Sequence, residues 1–392
     1  MNLRNYRKWS WPLNALIYNV CRLVPCRDKR VWVFGESSGL YYSDSPRYLY
    51  EYINGQKADG VRCIWLTHSP QIIQNLEKNG TEVYPINSIK AVLWSLRCGV
   101  AVYNKSLDDL GIFPLVGGAK IITPWHGAGF KRIHNALLSG KKLRLKRFLD
   151  YIFSWKTMDM LFATSEYNKQ QFYEWFTIKR ENIIITGIPR NDVLLKGCDR
   201  ETLLKSLGIL PQKKIILYMP THRPMVNGEN IVGNIVKELS EDEELSDFVK
   251  SQGYEFVIKL HPLTHIDDLD LPENFHLLSY GEVQNSQELL SLADILITDY
   301  SSCFIDYALL ERPIILYVPD EKNYMQNTGG VYKEFYNILR LCRADNPKQL
   351  IKRLEKPDLA ATNVTNDYYR SPSDKGNYCR NAYLAMKEFV GI

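Results

Sequence analysis

The sequence lacks the closely spaced cysteines of small metal and redox sites. It holds eight Cys in 392 residues, and none of them forms a C-x-x-C pair. We therefore expect neither a disulfide-rich scaffold, nor a zinc finger or ribbon, nor a thioredoxin-type redox site. Cysteines used this sparingly are typical of proteins from a reducing compartment.

Three further signals are missing. No uninterrupted apolar run reaches the roughly 18 residues of a membrane-spanning helix. Neither a G-x-G-x-x-G dinucleotide fingerprint nor a P-loop is present. No Asp-x-Asp lies in a plausible loop after a strand, and the acidic residues 267–270 are interpreted as a solvated loop. The sequence thus predicts no cofactor and no metal ligand, and it leaves open whether a divalent cation assists.

The chain does have the composition of a globular protein, with 45% hydrophobic and 24% charged residues. At about 150 residues per domain, its length is enough for two domains. Charge is distributed unevenly, because residues 1–200 hold 29 Lys and Arg against 16 Asp and Glu, a net of +13. Residues 201–392 hold 20 against 28, a net of −8. The basic half is expected to face phosphates or lipid headgroups.

The first 28 residues combine basic side chains with a stretch rich in Trp and Leu. Pro12 has the position of a first-turn proline in a helix that begins near Ser10. Asn14, Asn19 and Arg22 interrupt the apolar core that a signal peptide would need. We predict an amphipathic helix that lies on a membrane surface; the alternative is a helix docked on the protein's own core.

Short β-branched segments alternate with helical patterns along nearly the whole chain, which predicts parallel sheets joined by right-handed crossovers. The series of strands pauses between residues 191 and 212, so we place a domain boundary near residues 209–211. The prediction is an α/β protein with two Rossmann-like, doubly wound domains that face a cleft at the carboxyl ends of their strands. The predicted strands include Val31–Phe34, Cys63–Leu66, Val100–Tyr103, Ile121–Thr123, Leu161–Ala163, Lys214–Tyr218, Glu255–Leu260, Ile295–Thr298 and Ile314–Tyr317.

Three histidines follow the ends of predicted strands. His126 stands in Pro-Trp-His-Gly, His222 in Pro-Thr-His-Arg-Pro, and His261 in Lys-Leu-His-Pro. A single histidine in such a position is more often structural. Three of them, two with Arg223 or Lys259 nearby, predict a pocket for a polyanion that contains proton-transfer groups.

An apolar strand, a polar Thr-Asp-Tyr-Ser-Ser turn and a helix follow one another between residues 293 and 310. Ser301 and Ser302 would place hydroxyls and N–H groups at the start of the helix, where its dipole favours an anion such as a diphosphate. The alternative is that Asp299 or Ser301 only caps the helix, and capping is compatible with phosphate binding.

A basic run, KKLRLKR, covers residues 141–147 and follows Lys131 and Arg132. It is either a solvated helix face or a patch for anionic lipid or for a phosphate-bearing acceptor. The sequence contains no aromatic stacking motif and no known nucleic-acid module, so no nucleic-acid partner is expected.

Taken in order, these motifs resemble those of the CDP-glycerol glycerophosphotransferase family, whose members make teichoic acids and related capsular polymers. The resemblance covers roughly residues 30–380. Ser45 replaces the Asn of an Asp-Asn-Pro element, and Ala-Gly-Phe-Lys at 128–131 replaces a frequent Thr-Pro-Leu-Lys. The matching elements are Trp125-His126-Gly127, Gly187-Ile188-Pro189-Arg190-Asn191-Asp192, Pro220–Arg223, Lys259–Pro262, Thr298–Ser302 with Asp306-Tyr307, and Arg312-Pro313.

The resemblance implies a fold of the glycosyltransferase B type and peripheral attachment to the cytoplasmic face of the cell membrane. With it, residues 1–28 are assigned to a membrane-surface segment and 29–208 to an acceptor-side domain. Residues 209–372 are assigned to a nucleotide-donor domain and 373–392 to a C-terminal helix.

The resemblance also implies a phosphotransferase. A hydroxyl of a lipid-linked glycan or polymer acceptor would attack the β-phosphorus of a CDP-alditol, and CMP would leave. His126 is the predicted general base, with His222 and Arg223 as further catalytic residues. Donor phosphate and nucleotide binding is assigned to Lys259, His261, Thr298, Asp299, Ser301, Ser302 and Asp306. The acceptor side or cleft is assigned Trp125, Gly127, Lys131 and Arg190.

Two other functions fit parts of the pattern. An inverting nucleotide-sugar glycosyltransferase or epimerase of the same fold would use the same cleft but would break the bond at the sugar C1. A non-enzymatic protein that binds anionic glycans or lipids would need cations but not three histidines beside strand ends. The alditol, glycerol or ribitol, stays open.

Overall fold

The computed structural model describes residues 11–56, 59–152, 158–225, 230–261, 263–264, 266, 269–278 and 285–392. Three parts of the predictions lie outside the described residues. They are the first ten residues of the N-terminal segment, Pro262 of the Lys-x-His-Pro element, and residues 267–268 of the acidic loop.

All strands of the described chain pair in parallel in two sheets, one of seven strands and one of six. Their side chains are buried almost throughout, because parallel strands are covered on both faces, and this is why they read as apolar runs in the sequence. The strands are β1 Asp28–Phe34, β2 Arg62–Thr67, β3 Val83–Pro85, β4 Cys98–Val102, β5 Lys120–Thr123, β6 Met160–Ala163, β7 Ile183–Ile185, β8 Lys214–Met219, β9 Tyr254–Lys259, β10 Phe275–Leu278, β11 Ile295–Thr298, β12 Ile314–Tyr317 and β13 Arg343–Ala344.

The first sheet has the order β3-β2-β1-β4-β5-β6-β7, and the second has the order β10-β9-β8-β11-β12-β13. In both, the chain starts in the middle, runs to one edge and then returns to build the other half, as in Rossmann-like sheets. The predicted α/β class with two doubly wound domains is confirmed.

Helices fill the crossovers between the strands, as amphipathic patterns predict for this topology. They are α1 Trp11–Cys21, α2 Asp44–Gly55, α3 Pro70–Lys78, α4 Ile89–Arg97, α5 Gly140–Ile152, α6 Glu166–Trp175, α7 Asn191–Lys196, α8 Arg200–Ser206, α9 Ile231–Glu241, α10 Glu243–Ser251, α11 Ser286–Leu292, α12 Cys303–Tyr307, α13 Glu321–Gln326, α14 Lys333–Cys342, α15 Pro347–Glu355, α16 Ala360–Tyr369 and α17 Tyr378–Val390.

The chain divides into two compact units. The first unit comprises the residues up to Gly127 together with Ile133–Asp192 and Ser371–Ile392. The second unit comprises Ala128–Arg132 and Val193–Arg370. The change at residues 192–193 comes before the boundary expected near residues 209–211. A physical reason is that the Arg200 guanidinium donates to the carbonyls of Leu292 and Lys213, each at 2.7 Å, within the second unit.

The C-terminal helix α17 packs on the first unit through the Gly-Ile-Pro-Arg-Asn-Asp element. The Asp192 carboxylate accepts hydrogen bonds from the N–H groups of Tyr378 and Cys379, at 2.6 and 3.0 Å, and so caps the helix. Gly187 has a φ of +75°, and a Cβ there would lie 2.1 Å from the Tyr378 ring. Close packing of α17 therefore accounts for the Gly and the Asp of this element.

The N-terminal helix α1 buries one face and exposes an apolar one. Ala15, Tyr18 and Cys21 are buried against the first unit. The exposed apolar side chains of α1 and of the turn after it, here called the α1 stripe, are Leu13, Leu16, Val20 and Leu23, which are 49%, 61%, 55% and 80% exposed. The helix is thus docked on the core of the first unit through one face, and its other face stays exposed. No helix of the described residues combines the length and apolar character needed to cross a bilayer.

Candidate functional site

His126 lies in the loop that follows β5, in the first unit. The residue before it, Trp125, has a φ of +57°, and Gly127 after it has a φ of +116°. A left-handed backbone costs a tryptophan roughly 1–2 kcal/mol, and such strain is typical of functional loops. The Trp125 N–H donates to the Thr123 hydroxyl at 3.0 Å, and its buried ring lies 4.2 Å from the imidazole, centre to centre. Trp125 therefore supports His126 from the buried side.

Charged groups surround the His126 imidazole. Arg190 forms an ion pair of 3.0 Å with Asp44, at the start of α2. Burial alone would raise the pKa of Asp44, but Arg190 and the Ser45 N–H outweigh it, so the pKa is lowered and Asp44 stays ionised. Burial lowers the pKa of His126 to about 4, against a partial opposing effect of Asp44. The imidazole is therefore neutral at physiological pH and able to accept a proton.

The pKa of His126 gives a direct test of this arrangement. In an NMR titration of the imidazole resonances, we expect the His126 midpoint near pH 4 rather than near the usual 6.5. Asp44→Asn removes the negative charge that favours the imidazolium, so it should lower that midpoint further. Glu51→Gln, an exposed change on the same helix, is the matched control and should leave the midpoint in place. A wild-type midpoint near pH 6.5 would contradict the buried, neutral histidine.

A second acidic residue, Glu36, was not predicted and lies beside Asp44. The Asn104 amide donates to Asp44 at 3.1 Å and to Glu36 at 3.4 Å, and the Ser43 hydroxyl donates to Glu36 at 3.1 Å. Burial raises the pKa of Glu36 to about 7, so near neutral pH it is only partly ionised. In the sequence it stands two residues after β1, where a single acidic residue resembles an ordinary loop residue.

The second unit holds a buried ion-pair network at the carboxyl ends of its strands. The Arg223 guanidinium pairs with Asp299 at 2.7 Å and with both carboxylate oxygens of Asp320 at 2.9 and 3.1 Å. Its side chain is 4% exposed. Burial alone would lower the pKa of Arg223, but the two carboxylates outweigh it and raise it. The Arg223 guanidinium is thus already paired with two carboxylates inside the second unit.

Asp299 and Thr298 join two strand-end loops. Asp299 accepts a hydrogen bond of 2.9 Å from the Thr221 N–H, and the Thr298 hydroxyl donates to the Met219 carbonyl at 2.6 Å. Both side chains are buried. They hold the loop with His222 against the end of β11, so their contacts are those of supporting residues.

Ser301 and Ser302 are half-exposed in the turn before α12. The Ser301 hydroxyl accepts the Cys303 N–H at 3.4 Å. The helix is short, because α12 ends at Tyr307 and a 3-10 turn follows over Ala308–Leu310, so its dipole is weaker than the sequence indicated. Asp306, on this helix, is buried and accepts from the Gln287 amide at 3.2 Å.

The other two histidines meet in the second unit. The rings of His222 and His261 stack with their centres 5.4 Å apart, and His222 Nδ1 lies 3.0 Å from the Thr264 hydroxyl. Burial and the neighbouring Arg223 lower the pKa of His222. Lys259 is buried at the end of β9.

The predicted site residues are thus divided between the two units. Among the described residues no group of three or more His, Cys, Asp or Glu side chains could hold a metal ion. Lys131, which the sequence grouped with the acceptor side, lies in the second unit. The first unit contains Trp125, His126, Gly127 and Arg190; the second contains Lys131, His222, Arg223, Lys259, His261, Thr298, Asp299, Ser301, Ser302 and Asp306.

Comparison with known proteins gives a consistent picture. Residues 16–381 match a family described as CDP-glycerol:poly(glycerophosphate) glycerophosphotransferase. A teichoic acid poly(glycerol phosphate) polymerase of Bacillus spizizenii is 28% identical over 97% of this chain and 95% of its own length. Two longer relatives are the corresponding polymerase of Bacillus subtilis and a poly(ribitol-phosphate) polymerase of B. spizizenii, 27% and 26% identical over 92% and 85% of this chain. The chain spans 47% and 52% of their lengths.

The solved structures show the fold. The wall teichoic acid polymerase TagF, in a variant soaked with CDPG, superposes with a TM-score of 0.75 at 24% identity. The match covers 100% of this chain and 99% of that one. The fold is therefore that of TagF, with two parallel sheets of the glycosyltransferase B type.

Proposed function

The chain belongs to the CDP-glycerol:poly(glycerophosphate) glycerophosphotransferase family and is a transferase of that family, and from this premise we propose that it transfers an alditol phosphate from a CDP-alditol to a hydroxyl of a lipid-linked glycan or polymer. CMP is the leaving group. The process is the synthesis of teichoic acid or of a related surface polymer. Relatives named for glycerol phosphate and for ribitol phosphate support a CDP-alditol as the donor class.

The observation that carries this proposal is the neutral His126 imidazole beside the Asp44–Arg190 pair. Attack on phosphorus requires the acceptor hydroxyl to lose a proton, and a positioned base contributes about 10²- to 10⁴-fold in rate. Asp44 stabilises the imidazolium that forms when His126 takes the proton. His126 is thus the proposed general base, and Asp44 and Arg190 are positioning residues.

The donor half of the reaction is assigned to the second unit. Phosphoryl transfer needs fixed charge and hydrogen-bond donors more than covalent chemistry. His222 and His261 lie side by side and are not fully buried, and the hydroxyls of Ser301 and Ser302 are half-exposed. These four side chains are the proposed contacts to phosphate and CMP, with the Arg223 network as their support.

Assay of CMP release tests the reaction. The full chain is offered CDP-glycerol, CDP-ribitol and UDP-sugars, each with and without a lipid-linked glycan, and the β-phosphorus of the CDP-alditol is labelled. We expect CMP release that depends on the glycan, with label entering the glycan product. Turnover of a UDP-sugar without any CMP release would overturn the proposal in favour of a nucleotide-sugar enzyme.

We also propose that the first unit rests on an anionic membrane surface at the cytoplasmic face. The α1 stripe supports this, because its four apolar side chains stay exposed beside the exposed Arg22. A second support is α5, whose exposed face combines Lys141, Arg144, Leu145 and Phe148. A helix that turns apolar and basic side chains outward suits a lipid interface better than water.

Vesicle binding tests the α1 stripe. The double variant Leu13→Glu/Leu16→Glu should bind vesicles containing phosphatidylglycerol about tenfold or more weakly than wild type, because two leucines no longer leave water. The double variant Leu359→Glu/Leu384→Glu, at exposed leucines outside α1, is the matched control. Equal binding by wild type and the α1 variant in co-sedimentation would count against this surface.

A further inference from the structure

The segment Ala128–Arg132 belongs to the second unit, although the residues on either side of it belong to the first. Lys131 forms an isolated antiparallel bridge with Val331. The Arg132 N–H donates to the Gly330 carbonyl at 2.9 Å, and the Tyr332 N–H donates to the Phe130 carbonyl at 2.8 Å. These bonds fix the backbone at Lys131 in the second unit.

Aromatic side-chain packing also holds this segment in the second unit. The Phe130 ring stacks on Phe335 with centres 4.3 Å apart and lies 5.3 Å from Phe304. Phe130 is 1% exposed. The position of the neighbouring Lys131 is therefore set by a packed core and not by a mobile loop.

The Lys131 ammonium lies over aromatic rings and beside the Arg223 network. It is 5.3 Å from the centre of the Tyr324 ring and 5.8 Å from that of Phe130. Tyr324 in turn stacks on Tyr300 at 3.8 Å, and the Arg223 guanidinium lies 4.8 Å from the Tyr324 ring. Lys131 forms no ion pair with any carboxylate of the described chain.

The charges nearby explain what this ammonium contributes. Arg223 with Asp299 and Asp320 carries a net charge of −1, which would repel a diphosphate. The positive charge of Lys131 brings the net charge of this cluster to zero, and the ammonium is not paired with a carboxylate of the described residues. A half-buried ammonium with no carboxylate partner is costly unless an anion reaches it, and a lysine is a common point-charge ligand of phosphate.

We propose that Lys131 binds the diphosphate group of the nucleotide donor and belongs to the donor half of the site. This inference rests on the proposed function for the identity of the donor. It assigns to Lys131 a role in the donor half, whereas the sequence placed it on the acceptor side or in the cleft. Phe130, the residue before Lys131, lies 5.3 Å from Phe304 of α12, the helix that follows Ser302, so this segment packs on the same helix that the serine pair precedes.

The titration of Lys131 supplies a readout that a structural lysine would lack. Burial lowers the pKa of Lys131 to about 8, with Asp299 and Cys303 raising it and Arg223 lowering it. A diphosphate placed beside the ammonium would favour the charged form. Binding of a nucleoside diphosphate at pH 8 should therefore be accompanied by uptake of a fraction of a proton.

Calorimetric titration with CDP tests this proposal on the full chain. Lys131→Met should weaken CDP binding by about 10- to 100-fold, the usual effect of losing a charged hydrogen-bond partner. Lys131→Arg should keep the affinity within a few-fold but abolish the proton uptake seen at pH 8 in buffers of different ionisation enthalpy. Arg132→Met, at the exposed neighbour, is the matched control and should bind CDP as wild type does.

The results of this titration distinguish the role of Lys131 from the proposed transfer reaction. If the wild type binds CDP with proton uptake and Lys131→Arg abolishes the uptake, the assignment holds even where Lys131→Met folds poorly. If wild type and Lys131→Met bind CDP equally, or the wild type takes up no proton, the role of Lys131 is overturned while the proposed reaction stands. If the wild type binds neither CDP nor CDP-alditols, the proposed function fails first and this inference fails with it.

Discussion

Replacement of His126 by alanine is expected to lower kcat for alditol-phosphate transfer by about 10²- to 10⁴-fold. Burial lowers the pKa of the imidazole to about 4, so across the physiological range it is unprotonated and available to take the proton of the acceptor hydroxyl. Its loss removes the base but none of the groups in the second unit that are assigned to the donor. Affinity for CDP-glycerol, measured by calorimetry, should therefore stay close to that of the wild type.

The control for this variant is His68→Ala, at an exposed histidine of the first unit. That variant should keep wild-type kcat, which shows that loss of an imidazole alone is harmless. Full activity of His126→Ala would show that another group takes the proton. A parallel loss of CDP-glycerol affinity would instead indicate that His126 acts in binding.

The second large effect is expected on stability. Arg223→Met leaves Asp299 and Asp320 buried without their cation, and breaking a buried ion pair in this way costs about 3–5 kcal/mol. Urea denaturation followed by circular dichroism should show this as a lower midpoint for the second unit. Loss of activity in this variant would then reflect a collapsed loop and not a lost phosphate ligand.

Arg343→Met is the comparison for Arg223→Met. Arg343 also pairs with two carboxylates, Glu321 and Asp345, but its side chain is 39% exposed. Water screens such pairs, so we expect a change of only about 0–1 kcal/mol. If Arg223→Met also lowered the free energy of unfolding by less than about 1 kcal/mol, the buried network would stabilise the fold no more than the exposed pairs of Arg343 do.

Much of the fold follows from local sequence patterns. The strands Ile295–Thr298 and Ile314–Tyr317 occur with the bounds predicted, because each is a short apolar run between polar turns. The two-residue strand Arg343–Ala344 was missed. It exists only through pairing with Leu316 and Tyr317, which no local pattern reveals.

The candidate site, too, could be predicted only in part from the sequence. Histidines after strand ends stand out in the sequence, whereas Glu36 and Asp320 follow β1 and β12 as single acidic residues that resemble ordinary loop residues. The unit to which Lys131 belongs could not be predicted, because its bridge joins it to Val331, far along the chain. The pairing of Arg223 with Asp299 and Asp320 could not be predicted either, since a sequence does not tell whether a guanidinium is already paired.

The way α17 completes the first unit has a consequence for biosynthesis. Its Tyr383 ring packs edge-on against Trp32 of β1, with the ring centres 5.7 Å apart. The Asp192 carboxylate finds its hydrogen-bond donors in the N–H groups of Tyr378 and Cys379 at the start of α17. During synthesis, the surface of β1 that α17 covers therefore stays open until α17 has been made, and α17 is translated after residues 193–370. The first unit is thus the part of this chain that synthesis completes last, although it begins first.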